Sequence, residues 1–324
     1  MEKIELESLE DFLVGNAQDF DAMTGCTAII APDGAVCGVD VRGGSPGTRD
    51  TDALDPRCGR EKVHGILLSG GSAFGLDCAG GLMSLLEEKR IGRDVGSTVI
   101  PNVCAAILFD LKCGRGDVRP DAGMGRQAGE NAFAGIPFAH GNYGAGTGAT
   151  VGKVMGSKFA MKGGLGSAAF RQGELYAAAV FAVNCAGDVV ENGSIIAGVR
   201  GEDGVSFADS EEIFLRAYGD SKDLFATNTV IGCIMTNAVL NKGQAARIAS
   251  QGQNAIARCV RPAHTMHDGD TVFALSTCKV PCDINAAGIL AARAAEAAII
   301  DAVRSAETYG DYLCASDRMK KLGL

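Results

Sequence analysis

Asn228-Thr229-Val230-Ile231-Gly232-Cys233-Ile234-Met235-Thr236-Asn237 is the stretch on which the reading of the fold turns. Its apolar, β-prone run predicts a strand over residues 229–235 that is buried on both faces, and so an inner strand of a sheet covered on both sides. A polar segment without a core pattern, residues 219–223, comes shortly before it. The strand opens on a hydroxyl residue. A backbone break between Asn228 and Thr229 would leave Thr229 as a new chain start carrying both a hydroxyl and an α-amine. The hydroxyl alone is a poor nucleophile at neutral pH, whereas an α-amine titrates at about 7.7–8.0 and can serve as its general base. The plainer reading, in which Thr229 simply begins a buried strand, stays open at this point.

Working outward, residues 27–30 and 35–41 read as short strands joined by Pro32-Asp33-Gly34, a pattern that predicts a β-hairpin. Residues 63–68 form an apolar strand ending in Ser69-Gly70-Gly71-Ser72. Phe74, Cys78, Leu82, Leu85 and Leu86 then share one helical face, and the helix closes at Gly92 after Lys89 and Arg90. Residues 181–183 and 189–190 read as strands around Cys185-Ala186-Gly187-Asp188, and residues 272–275 as another. Asn241 is placed to cap a helix carrying Ala245, Ile248, Ala249, Ile256 and Cys259. Asp283 is placed to cap a long one with Ile284, Ala287, Ala291, Ala294 and Ala298 on a narrow stripe. A doubly buried strand with amphipathic helices outside it predicts stacked sheets covered by helices, an α/β fold.

The chain has 324 residues, enough for one large α/β domain or two ordinary ones, with 45 glycines set among Ala, Val and Ile in a manner that suits close packing. A net charge of −9 without a large basic cluster argues against nucleic acid or an anionic membrane as partner. The acidic start, Met1-Glu2-Lys3-Ile4-Glu5, lacks a secretory pattern and no apolar run has the length of a membrane span, so a cytoplasmic protein is expected. Twelve cysteines in mostly apolar contexts, with no Cys-x-x-Cys pair, read as reduced core residues.

Two motifs invite other chemistry. Tyr143-Gly144-Ala145-Gly146-Thr147-Gly148-Ala149-Thr150-Val151-Gly152-Lys153 looks like a phosphate loop, but its glycine spacing fits neither a dinucleotide fingerprint nor a P-loop, and Val154 stands where a magnesium-binding hydroxyl is needed. A tight turn that brings Lys153 to a site fits better. His264-Thr265-Met266-His267-Asp268-Gly269-Asp270 could supply metal ligands, yet it has no matched second cluster. No metal or other cofactor is expected. Asp268 and Asp270 can instead stand as two carboxylates close to an α-ammonium, or make an ordinary turn.

Taken together, Thr24-Gly25-Cys26-Thr27-Ala28, the run from Val41-Arg42-Gly43-Gly44-Ser45 to Asp52, Leu68-Ser69-Gly70-Gly71-Ser72-Ala73-Phe74-Gly75-Leu76-Asp77, Gly144-Ala145-Gly146-Thr147-Gly148, Lys162-Gly163-Gly164-Leu165-Gly166-Ser167, Asn228-Thr229 and His267-Asp268-Gly269-Asp270-Thr271 occur in an order that resembles the DmpA-like family. That family takes in L-aminopeptidase/D-esterases, β-peptidyl aminopeptidases, and nylon-oligomer and pantetheine hydrolases. The resemblance spans about residues 20–320.

It implies a four-layer αββα sandwich of the N-terminal-nucleophile type, a single domain that cuts itself into residues 1–228 and 229–324, and a homo-oligomer, commonly a tetramer. The Asn-Thr junction resembles the family's threonine branch. By that comparison Thr229 is the nucleophile, Asp268 and Asp270 are acidic partners, Asn184 is an oxyanion donor and Lys153 lies near the nucleophile, with Lys158 and Lys162 in the same glycine-rich stretch. The implied substrate is a small peptide or peptide-like amide, and the departure from the serine branch at the acidic pair leaves D- or β-amino preference open. Two alternatives stand beside the amidase: an acyltransferase of the ornithine-acetyltransferase type, and an uncleaved binding protein.

Overall fold

The computed structural model describes residues 1–218 and 228–323, so the polar segment 219–223 lies outside the described residues. The architecture follows from one strand. Thr24–Val41 runs for 18 residues and is shared by two sheets, which it joins into one ten-stranded pairing path. Its first half lies between Leu13–Asp19 and Val63–Ser69, and its second half pairs antiparallel with Thr271–Val280. The hairpin expected at Pro32-Asp33-Gly34 is therefore corrected to a bend in a continuous strand. The register against Val63–Ser69 shifts between Ile30 and Ala35, and Gly34 has φ +70°, so the extra residues are absorbed as an irregularity and the chain does not reverse.

The first sheet follows the order Glu2–Ile4, Gly164–Gln172, Leu175–Asn184, Thr229–Ala238, Thr271–Val280 and the second half of Thr24–Val41. The second contains Leu13–Asp19, the first half of Thr24–Val41, Val63–Ser69, Val103–Ile107 and Thr48–Arg49. Ile29, Ile66, Leu68, Cys104, Val180, Ile231, Cys233, Met235, Phe273 and Leu275 form the core between the sheets. Strand alternation sends Val230 and Ile234 the other way, to the helix side. Helix α1 (Cys78–Glu88) and α2 (Ala122–Phe133) cover the second sheet with Cys78, Leu82, Leu86, Ala128 and Ala132. A short α3 (Ser210–Arg216) packs near Val154 and Val199. Helices α4 (Lys242–Cys259) and α5 (Ile284–Arg304) cover the first sheet. The layers are α, β, β and α, as the family resemblance implied and in keeping with the stacked, helix-covered sheets read from the residue pattern.

The expected caps are present. Asn241 and Gln244 form a reciprocal capping box on α4, and the Asp283 carboxylate accepts from Asn285 N on α5. Phe74 is a correction: residues 72–77 form a 3₁₀ turn ahead of α1, which rotates Phe74 out of the apolar stripe, and it is exposed beneath the Arg119 guanidinium at 3.9 Å. All twelve cysteines are free, and eight of them are buried.

Candidate active site

Topology brings the N-terminal end of the Thr229 strand to a meeting of three segments. Leu175–Asn184 runs antiparallel beside it, so its last residue, Asn184, pairs with Thr229. Thr271–Val280 runs parallel on the other flank, so the segment leading into it, Asp268-Gly269-Asp270, lies next to Asn228 and Thr229. Thr229 is 4% exposed, and Asp268 and Asp270 are each 2% exposed. The Thr229 hydroxyl donates to the Asn228 carbonyl, and the same carbonyl accepts from Gly269 N at 3.0 Å. Two donors therefore polarise the peptide carbonyl immediately before Thr229.

The acidic turn is held from both sides. Asp270 Oδ1 accepts from Val230 N at 2.7 Å, and its Oδ2 accepts from His264 N at 3.1 Å and meets His264 Nδ1 at 2.8 Å. Asp268 Oδ2 accepts from Thr265 N at 2.6 Å, while its backbone carbonyl accepts from Ser45 N at 2.8 Å. Burial, then the neighbouring Asp270 charge, pushes the Asp268 carboxyl up to about 6, against the pull of the Thr265 hydrogen bonds and Lys153. The Arg42-Gly43-Gly44-Ser45 block packs directly on this turn, where a Cβ on Gly43 would stand 2.2 Å from the Asp268 carbonyl oxygen. Among the described residues, no three His, Cys, Asp or Glu side chains form a group that could hold a metal ion.

Asn184 is fixed through its side chain: Oδ1 accepts from Thr150 N at 3.0 Å and Nδ2 donates to the Phe109 carbonyl at 2.9 Å. Lys153 Nζ donates to the Asn184 carbonyl at 2.7 Å. Enclosure by protein lowers the Lys153 ammonium to about 7, with Cys185 and Asp268 opposing the shift. The glycine-rich turn thus delivers Lys153 beside Asn184. Lys158 is exposed, and Lys162 is buried against the carbonyls of Gly146, Ala149 and Gly163. The structure therefore gathers Thr229, Asn184, Lys153, Asp268 and Asp270, and leaves Lys158 and Lys162 elsewhere.

A cleft of about 50 Å³ adjoins this cluster, lined by Phe109, Asp110, Cys113, Thr150, Lys153 and Tyr312 among others. Asp110 has no counterpart in the sequence reading. Its buried carboxylate accepts from Thr24 Oγ1 at 2.7 Å and Gly71 N at 2.8 Å, and burial raises its pKa. The signal was present in Ser69-Gly70-Gly71, because a Cβ on Gly70 would lie 2.0 Å from Asp110 Oδ2.

Residues 8–312 match Peptidase family S58. An uncharacterized aminopeptidase of Mycobacterium tuberculosis is 41% identical over 289 residues, covering 87% of this chain and 81% of that protein. The 6-aminohexanoate-oligomer endohydrolase of Paenarthrobacter ureafaciens is 32% identical over 271 residues, covering 82% and 72%. Among solved structures, an L-aminopeptidase D-Ala-esterase/amidase from Ochrobactrum anthropi, described as a variant of the Ntn hydrolase fold, aligns with a TM-score of 0.70 at 16% identity over 98% of this chain and 92% of that one. A β-aminopeptidase from Burkholderia sp. aligns with a TM-score of 0.67 at 17% identity, covering 98% and 94%. No helix among the described residues is long and apolar enough to cross a membrane. The fold, the family match and these relatives converge: the chain belongs to peptidase family S58 and is a hydrolase of amide bonds.

Proposed function

We propose that the chain is a self-processing amidohydrolase of the aminopeptidase type, in which Thr229 first cuts its own peptide bond and then carries the acyl group of a small peptide or peptide-like amide. The observation that carries this reading is the Asn228 carbonyl, held by the Thr229 hydroxyl and by Gly269 N at 3.0 Å. In maturation Thr229 Oγ attacks the Asn228 carbonyl carbon, and the developing oxyanion takes the Gly269 N–H. The C–N bond breaks, the nitrogen leaves as the Thr229 amine with the hydroxyl proton, and water hydrolyses the ester to an Asn228 carboxylate and a free Thr229.

In turnover the freed amine accepts the proton from Thr229 Oγ and returns it to the leaving amine of the substrate, after which water releases the acyl group. Asp268 and Asp270 orient the ammonium form of that amine. Lys153 at about 7 is partly neutral near neutral pH, so it opposes the amine's protonation only weakly. Asn184, locked by Thr150 and Phe109, supports the oxyanion as a preorganised amide. Asp110 in the cleft accepts the substrate's ammonium, a role supported by its buried carboxyl on the cleft lining; burial raises its pKa, and a cation beside it would oppose that shift. The two chains stay associated, and the family resemblance supports a cytoplasmic homotetramer.

The deciding experiment is mass analysis of purified protein with sequencing of the smaller chain. Fragments of about 23 and 10 kDa, the smaller beginning Thr229-Val230-Ile231-Gly232, are expected from mean residue mass. Activity from protein that remains full length after long incubation would overturn the mechanism. Product analysis with an added acceptor amine separates hydrolysis from acyl transfer.

A further inference from the structure

The break in pairing at Pro32-Asp33-Gly34 opens a recess at the end of the second sheet that lies away from the Asp110 cleft. Ile30 pairs with Gly65 and Ala35 with Val63, so residues 31–34 stand against His64 alone. His64 is thus a polar ring in a strand whose every residue is buried, and it is itself 5% exposed. His64 and Ser69, which precedes the Gly70 backbone packed on Asp110, are roughly 17 Å apart along that strand at the usual rise. The recess is therefore remote from the cluster around Thr229.

The hydrogen bonding of His64 leaves one donor over. Its Nδ1 accepts from Asn102 N at 3.2 Å, which puts the proton of the neutral ring on Nε2. Burial, then the Lys62 charge, lowers the imidazole pKa and keeps the ring neutral. The Nε2–H has no acceptor among the described residues. It faces Gly34, where an added Cβ would lie 3.2 Å from Nε2 and 3.0 Å from Lys62 Cδ. Gly34, at φ +70°, therefore both permits the bend and leaves the donor uncovered. Folded chains rarely keep a buried donor without an acceptor, because its lost hydration is not repaid.

The recess holds about 620 Å³, within the roughly 300–1,000 Å³ of small-molecule sites. Buried Asn102 fixes its rim by donating to the Lys62 carbonyl at 2.7 Å. Arg60, Lys62 and Arg93 line it together with Asp33 and Glu61, three cations against two carboxylates. Arg60 is bound to Asp50 at 2.6 Å and Lys62 Nζ donates to the Asp33 carbonyl at 2.9 Å, whereas the Arg93 guanidinium makes no ion pair or hydrogen bond among the described residues. One net positive charge suits a monoanion. A dianion would leave an excess of negative charge in a chain whose net charge is already −9.

We propose that this recess is a second ligand site, which takes the carboxylate of a small organic acid, with His64 Nε2–H, Lys62 and Arg93 as its donors. Such a site is independent of the amide chemistry at Thr229.

The test uses three probes that share a phenyl ring and differ in charge: benzoate, neutral benzamide and dianionic phenyl phosphate. Each is titrated into the purified protein by calorimetry and by NMR of the histidine rings, of which the chain has four. Benzoate is expected to bind saturably with a Kd of about 1 mM or tighter, and to shift the ring signals that disappear in His64→Asn. Benzamide and phenyl phosphate should bind at least about tenfold more weakly, the first for want of charge and the second for excess of it. The double variant Lys62→Gln/Arg93→Gln, whose side chains are exposed and whose melting temperature reports a retained fold, should weaken benzoate at least about tenfold. Absence of saturable benzoate binding to the wild type overturns the site even if no variant folds, and so does benzamide or phenyl phosphate binding as tightly as benzoate. Unchanged benzoate affinity in the folded double variant overturns it as well. None of these readouts needs turnover, so failure of the amidase reading is seen separately, as matured enzyme that hydrolyses no amide.

Discussion

Gly269→Ala isolates the feature on which the proposed maturation depends. An added Cβ would lie 2.8 Å from Thr229 Oγ1, 3.0 Å from the Ser45 carbonyl oxygen and 3.4 Å from Thr229 Cγ2. The first distance is too short, so the Thr229 hydroxyl or the Gly269 backbone must move, and with it the 3.0 Å contact from Gly269 N to the Asn228 carbonyl. Removing one preorganised oxyanion donor typically costs about 2.7–4 kcal/mol of barrier, or roughly 10²- to 10³-fold in rate. The overpacking itself costs about 1–3 kcal/mol of stability, which a domain of this size tolerates. The assay is a time course of full-length precursor purified soon after synthesis, with intact and cut chains resolved by mass spectrometry. Circular dichroism on the same samples shows whether the fold is retained. A folded Gly269→Ala protein that matures at the wild-type rate would refute the argument that this amide stabilises the oxyanion.

Three further outcomes follow from the same geometry. Thr229→Ala should abolish both maturation and turnover, whereas Thr229→Ser should retain some of each because an attacking oxygen remains; gel analysis and p-nitroanilide assays read both. Asp268→Asn and Asp270→Asn should each slow turnover strongly in fully cut protein, and the activity lost as pH falls through about 6 in the wild type should be lost less steeply in Asp268→Asn, because the titrating carboxyl is gone. Near wild-type kcat and KM in both matured variants would make the acidic pair structural. Lys162, fully buried, falls from 10.5 to about 8 in the folded state. Its folded pKa is depressed, so its contribution to stability is fully present above pH 10.5 and is lost as pH falls through about 8, a span of about 3 kcal/mol. Denaturation midpoints of Lys162→Met should show a correspondingly shallower rise between those pH values, and an unaltered slope would contradict the assignment.

Local chemistry made much of this molecule readable before its structure. The doubly buried run after Thr229, the Asn241 and Asp283 caps and the apolar strand before Ser69 each depend on residues within one element. Pro32-Asp33-Gly34 misled because turn-forming residues signal a departure from regular pairing without saying whether the chain reverses or only bends. Asp110 and Tyr312 were invisible for another reason. Asn184 reaches Phe109 across 75 positions and Tyr312 reaches Lys112 across 200, so their neighbourhood is a product of sheet order, which periodicity does not encode. Thr229, Asp268 and Asp270 were singled out from the Asn-Thr junction, the acidic pair across one glycine and the family resemblance, whereas their lying side by side is again a product of sheet order, because the strands they lead into pair in parallel.

The order of strands in the first sheet has a mechanical consequence if the chain is cut before Thr229. The severed fragment does not sit at an edge. Its strands Thr229–Ala238 and Thr271–Val280 are inserted between Leu175–Asn184 and the second half of Thr24–Val41, both of which belong to the other fragment. Its helices α4 and α5 form the outer layer over that same sheet. Separating the pieces would require two hydrogen-bonded ladders to unzip together and an apolar core to open, so the nick releases a terminus without releasing a subunit. Such a molecule should survive dilution as an interlocked pair, and two fragments synthesised apart would face a folding problem that the continuous precursor never meets.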